Sequence, residues 1–217
     1  MKKRFAVILC GCGSRDGSEI HEATMLLLAI KQNNADYQCF SIDKEQTMVV
    51  NFITGEKMND KRNILIESAR IARGNIKKIE DLNVNEFDGI VLPGGFGAAL
   101  NLSTYGLNND NYTVDQKLEK KLIEFKTQNK VICAACIAPM ILAKVFKNIT
   151  ITLGNDKKIK DIVKKLGNKF QDTKSGEICV DEKNKIITSP FYMLAESIST
   201  IYDEAKLIIE SAIKLMN

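Results

Sequence analysis

Hydrophobic and polar positions alternate along this chain in blocks that switch between two periods. Residues 4–10, RFAVILC, form a short apolar run that ends in Gly11, Cys12 and Gly13, the pattern of a strand buried on both faces that runs into a glycine-rich turn. The following stretch to Asn34 has helical spacing, with Ser18 as the predicted N-cap and Glu19 and Glu22 in the first turns, where the helix dipole favours acids. Tyr37 to Ile42 predict a second strand, which completes a βαβ unit and points to a parallel sheet. The pattern is irregular from Asp43 to Asn63, turns helical at about Ile64 to Arg73, and closes at Gly74.

Gly89 to Leu92 read as a buried strand cut off by Pro93, Gly94 and Gly95, and Asn101 to Thr113 as a surface loop. Val114 to Asn129 carry Val114, Leu118, Leu122 and Phe125 on one helical face. Val131 and Ile132 then open a strand that leads to Cys136, with a helix expected over Ile137 to Phe146. A strand at Thr150 to Leu153 and a helix at Lys157 to Leu166 follow. Glu177 to Val180 and Lys185 to Ser189 predict a hairpin, and about Leu194 to Met216 a last helix. This alternation predicts one α/β domain over residues 1–217, a flavodoxin-like three-layer α/β/α sandwich with a mostly parallel sheet. In such folds ligands bind at the carboxyl ends of the strands.

Composition narrows the classes without choosing among them. At 217 residues, 45% hydrophobic and 27% charged, the chain can bury a sizeable core. A net charge of +4 with lysines scattered over helices gives no case for nucleic acid. The densest basic group, Lys157 to Lys165, reads as a solvated helix face. No apolar segment is long enough to cross a bilayer, and the basic start passes too quickly into Gly11 for a signal peptide. A cytoplasmic location is expected, in which the six cysteines stay thiols.

The chemistry gathers at three punctuated strand ends, Gly11 to Gly17, Pro93 to Gly97, and Cys136. A strand that breaks into a helix at a cysteine flanked by Ala134, Ala135 and Ala138 has the architecture of a nucleophile elbow. A helix starting at that break would favour the Cys136 thiolate, although a free cysteine is as often only a small buried residue. Cys133 and Cys136 have CxxC spacing, but without a second such pair a zinc site is not predicted, and no other metal or cofactor is expected. Cys12 at the first strand end is a candidate resolving thiol, or a small turn residue. Cys39 and Cys179 read as structural.

The combination of DGSEIHEA, PGGFGAALNLS and ACIAP, together with TGEKMNDKRNILIESARIARG and SPFYMLA, resembles the PfpI-like (class I glutamine amidotransferase-like) superfamily. Within it the chain is most similar to the ElbB-type proteins, described as glyoxalases, and the likeness covers nearly its whole length. The resemblance implies that Cys136 is the reactive cysteine and that Glu22, held protonated, hydrogen-bonds it. A desolvated carboxyl beside a thiolate has its pKa raised, so the arrangement is chemically sound. Glu19, one helical turn earlier, is the competitor for that role. The backbone N–H groups of Gly95 and Ile137 match the family's oxyanion site. His21, the only histidine, points about 100° away from Glu22 on a helix, so a Cys, His, Glu triad is not expected and His21 reads as a packing or rim residue.

Two functions follow as expectations. One is a cofactor-independent glyoxalase acting on a small dicarbonyl, without nucleic acid or membrane partners and as a homodimer. The other is a redox-responsive stress or binding protein with an oxidisable cysteine. A glutaminase-like activity is suggested by fold alone.

Overall fold

A computed structural model describes residues 2–216. In chain order its strands are β1 (Arg4–Ile8), β2 (Asp36–Ser41), β3 (Val49–Val50), β4 (Lys57–Met58), β5 (Ile76–Lys78) and β6 (Gly89–Leu92), then β7 (Val131–Ala135), β8 (Thr150–Ile151), β9 (Lys169–Phe170), β10 (Cys179–Asp181) and β11 (Ile186–Ser189). The helices are α1 (Ile20–Gln32), α2 (Ile64–Ile71), α3 (Phe96–Leu100), α4 (Tyr105–Asn108), α5 (Gln116–Thr127), α6 (Pro139–Val145), α7 (Lys157–Lys165) and α8 (Ile198–Leu215).

Seven strands form the central sheet in the order β10-β11-β7-β6-β1-β2-β5. All neighbours pair in parallel except the edge hairpin β10 and β11. Parallel neighbours need crossovers, and the right-handed rule sends α1 and α2 to one face of the sheet and α5 and α6 to the other. The contacts agree with that sorting, since α8 packs on α1 while α5 packs on α6. Covered on both sides, β1, β6 and β7 are buried along almost their whole lengths, which is why they appear as unbroken apolar runs.

Consecutive connections leave β1 in opposite directions, to β2 on one side and across to β6 on the other. That reversal opens a crevice at the carboxyl ends of β1 and β6, the usual ligand position in doubly wound sheets. Four turns meet there, those after β1, β6, β7 and β11.

Several local expectations are revised. The predicted strand over Thr150 to Leu153 shortens to β8 and pairs with β9 in a separate two-stranded ribbon. The irregular insertion contains the β3–β4 hairpin. The predicted N-cap Ser18 instead turns inward, where its hydroxyl accepts the Cys10 N–H at 2.8 Å, and Glu19 caps α1. Asn101, expected in a surface loop, is buried. Its Nδ2 donates to the carbonyls of Cys10 and Asp16, both at 2.9 Å, and its Oδ1 accepts the Thr47 N–H at 3.0 Å.

Asn101 therefore ties the turn after β1 to the turn after β6. Asn101→Ala leaves the Cys10 carbonyl and the Thr47 N–H without partners, while the Asp16 carbonyl keeps the Gln46 amide at 3.1 Å, so it is expected to cost about 2 kcal/mol. Urea unfolding with an unchanged m-value checks this, and a loss within error of zero would show that water replaces the amide.

Candidate active site

Cys136 sits where β7 stops, with backbone φ of +57°, a left-handed conformation that costs a non-glycine residue about 1 to 2 kcal/mol. The strand pairing imposes it: Ala135 is still in register with Ser189, and the Cys136 N–H donates to the Ser189 carbonyl at 2.9 Å. The chain then makes a turn through Ile137 and Ala138, and α6 begins only at Pro139. Proline at the first helical position needs no N–H partner and presets φ, so the helix starts there and not at the expected Ile137.

Glu22 is fully buried on α1. Its Oε2 accepts the Gly94 N–H at 2.9 Å, its Oε1 accepts the Tyr192 N–H at 3.3 Å, and the Cys136 thiol beside it bears on its ionisation. The glycine pair after β6 permits this convergence. A side chain on Gly94 would overlap both Cys136 and Glu22, and Gly95, at φ +93°, would drive one into the backbone of Gly17 and Glu19.

Burial raises the Glu22 carboxyl to about 8, with the nearby Glu19 adding to the rise, while Tyr192, Cys136 and Gly94 oppose it. The Cys136 thiol is also pushed up, first by burial and then by repulsion from an ionised Glu22. The N–H groups of Gly95 and Ile137 near the sulfur oppose that rise. This corrects the expectation of a thiolate favoured by a helix end: at 9% exposure, desolvation outweighs the donors. The pair is coupled. When Glu22 holds the proton, its repulsion on the sulfur vanishes, so ionisation of Cys136 is least opposed beside a neutral acid.

The other candidates separate clearly. Glu19 is the N-cap of α1, its Oε2 accepting the Glu22 N–H at 2.7 Å, so it supports Glu22 and does not replace it. His21 is exposed, its Nδ1 lying 2.9 Å from the Tyr192 hydroxyl, which places it on the rim. Cys12 is half-buried among Glu67, Arg70, Asp16 and Arg62, and no member of the Cys136 pair is among the groups that set its ionisation. Cys133 is buried within β7, and no group of three or more His, Cys, Asp or Glu side chains among the described residues is arranged to hold a metal.

Glu204 on α8 was not legible as part of this region, although it falls on the apolar stripe with Ile201, Ala205 and Ile208. A carboxylate in such a stripe is the signal that marks it. It is fully buried, bonds the Ser189 hydroxyl, and accepts the Phe191 N–H at 3.0 Å and the Gly176 N–H at 2.9 Å.

A hollow of about 480 Å³ lies at the opposite, amino-terminal edge of the sheet, between Lys2 to Arg4 and Asn85 to Asp88. Another, of about 210 Å³ beside Lys44 and Leu102, excludes both Cys136 and Glu22.

No helix among the described residues is long and apolar enough to cross a membrane. The chain is 36% identical over 224 residues to the ES1 protein homolog, mitochondrial, of Rattus norvegicus, covering 99% of this chain and 84% of that one. A solved isoprenoid biosynthesis protein with an amidotransferase-like domain from Ehrlichia chaffeensis superposes with a TM-score of 0.90 at 34% identity, covering 97% of this chain and 99% of that one. Glyoxalase III of Candida albicans shares the fold, with a TM-score of 0.65 at 15% identity over 98% of this chain and 97% of that one. Residues 14–195 match the DJ-1/PfpI family, and the chain belongs to it.

Proposed function

We propose that this protein is a cofactor-independent glyoxalase that converts glyoxal, or a dicarbonyl of similar size, to the corresponding hydroxy acid. The observation that carries the reading is the buried Glu22 carboxyl, raised to about 8 and converging with Cys136 over Gly94 at a strained strand end. Such a carboxyl exchanges a proton near neutral pH, as general acid and base catalysis requires. The names of the relatives add only that one protein of this fold is a glyoxalase.

In the proposed course the Cys136 sulfur adds to one aldehyde carbon, forming the S–C bond, and the carbonyl oxygen takes a proton to give a hemithioacetal. Glu22, as carboxylate, removes the hydrogen from that carbon, and the electron pair passes into an enediol. The proton returns to the neighbouring carbon, which leaves a thioester of the hydroxy acid. Water cleaves the thioester, releasing glycolate and restoring the thiol. One carbon is oxidised and its neighbour reduced, so no external redox partner is needed. The Gly95 and Ile137 N–H groups, which already favour charge on the sulfur, stabilise negative charge as it develops on the adding atoms.

Metal-free protein is expected to convert glyoxal to glycolate, followed by proton NMR. Cys136→Ala is expected to lose the activity by at least about a hundredfold, the scale for removing a covalent or acid–base group. Equal conversion by wild type and Cys136→Ala would overturn the reading.

A further inference from the structure

We propose that Glu204 is a positioning residue for the Cys136–Glu22 pair, acting on both members through the turn after β11. One of its arms is the Ser189 hydroxyl, and the carbonyl of the same Ser189 receives the Cys136 N–H. The other is the Phe191 N–H, which precedes the Tyr192 N–H that reaches Glu22. A single buried carboxylate thus fixes the strand end that shapes the elbow and the donor that touches the acid.

The energetics favour this role over simple packing. Glu204 is fully buried, and no lysine or arginine among the described residues forms an ion pair with it. A buried carboxylate without a cation costs several kcal/mol, and an aliphatic side chain would suit its neighbours Ile201, Ala205 and Ile208 better. What the carboxylate supplies is two acceptor contacts to the turn after β11 and a third to Gly176, and one of them takes the Phe191 N–H, which the turn's own bonds from the Met193, Leu194 and Ala195 N–H groups leave unmet. Phe191 needs that help most. Its ring is fully buried while its backbone is left-handed at φ +43°, a conformation that a bulky residue holds only when its surroundings over-determine it. Without the Glu204 acceptor, relaxation of Phe191 toward ordinary φ rotates the next peptide, and the Tyr192 N–H leaves Glu22.

The proposal rests on Cys136 and Glu22 being a working pair and is independent of their substrate. Its test is therefore the pH midpoint of Cys136 alkylation by iodoacetamide, resolved by peptide mass. In folded Glu204→Gln the midpoint is expected to move by at least about 0.5 pH unit, while the same substitution in a Glu22→Gln background moves it clearly less. Ser189→Ala, which retains the carboxylate, is expected to show the same pattern at smaller size and serves if Glu204→Gln does not fold. A midpoint unmoved in these variants, or moved equally with and without Glu22, would show that Glu204 is only a structural group. Loss of the proposed glyoxal chemistry with the midpoint shift intact would overturn the substrate assignment alone.

Discussion

Gly94→Ala is expected to eliminate the reactivity of Cys136 while the rest of the sheet remains folded. A Cβ at Gly94 would stand 2.2 Å from the Cys136 Cβ, 2.5 Å from the Glu22 Oε2 and 2.9 Å from the Cys136 Sγ. None of the three neighbours has an easy retreat. The Cys136 Cβ is fixed by a left-handed backbone whose N–H is tied to Ser189, and Glu22 is held from two sides by Gly94 and Tyr192. The added methyl therefore forces the sulfur and the carboxyl apart and turns the Gly94 N–H away from its acceptor. Overpacking of this kind costs about 1 to 3 kcal/mol, which the large two-sided core can absorb. A displacement of about 1 Å at reacting atoms costs on the order of a hundredfold in rate. Alkylation of Cys136 and conversion of glyoxal should both fall by that factor or more, with a cooperative thermal transition retained. Wild-type alkylation kinetics in Gly94→Ala would mean that the loop after β6 has room to move and that its glycines are not there for the pair.

The parts of this architecture that were legible in the sequence are those where one physical effect dominates. β1, β6 and β7 are buried on both faces and punctuated by glycine or proline, so an apolar run and its stop were enough to find them. β5 was missed because an edge strand carrying Ile76, Lys77 and Lys78 has no such run, and pairing with β2 alone defines it. Glu19 and Glu22 share one helix face and differ only in what the loops bring to them, so spacing left both open. The fold separates them by placing one at the cap and the other under Gly94. The ionisation of Cys136 was misjudged for a related reason. Donors near a strand end are visible in a sequence, whereas the depth of burial that overrides them depends on four turns closing together. Glu204 needed the same closure, since only the left-handed turn after β11 shows what its carboxylate is for.

Glu22→Gln is expected to stabilise the protein at alkaline pH and to leave it almost unchanged near pH 4.5. An exposed glutamate in the unfolded chain ionises near 4.5, whereas in the fold Glu22 keeps its proton up to about 8. The sign follows from proton counting. Between these two values the folded chain binds one proton more than the unfolded chain, so stability falls as pH rises, by about 1.4 kcal/mol per unit. Below 4.5 both states are protonated, and above 8 both are ionised, so the loss is confined to that window and reaches on the order of 5 kcal/mol at its upper end. Glutamine stays neutral throughout, and its carbonyl oxygen can still accept from Gly94 or Tyr192. The difference in unfolding free energy between Glu22→Gln and wild type, measured in urea at several pH values, should therefore rise steadily across the window and then level off. A flat difference would mean that Glu22 is ionised in the fold at neutral pH, which removes the proton that the coupled pair requires. A rising one identifies a carboxyl maintained against the stability of the whole chain. Such a cost is typical of groups kept for chemistry, and substitutions that relieve it strengthen the fold while weakening the site. The same variant is accordingly predicted to be the more stable protein at pH 8 and the less active one.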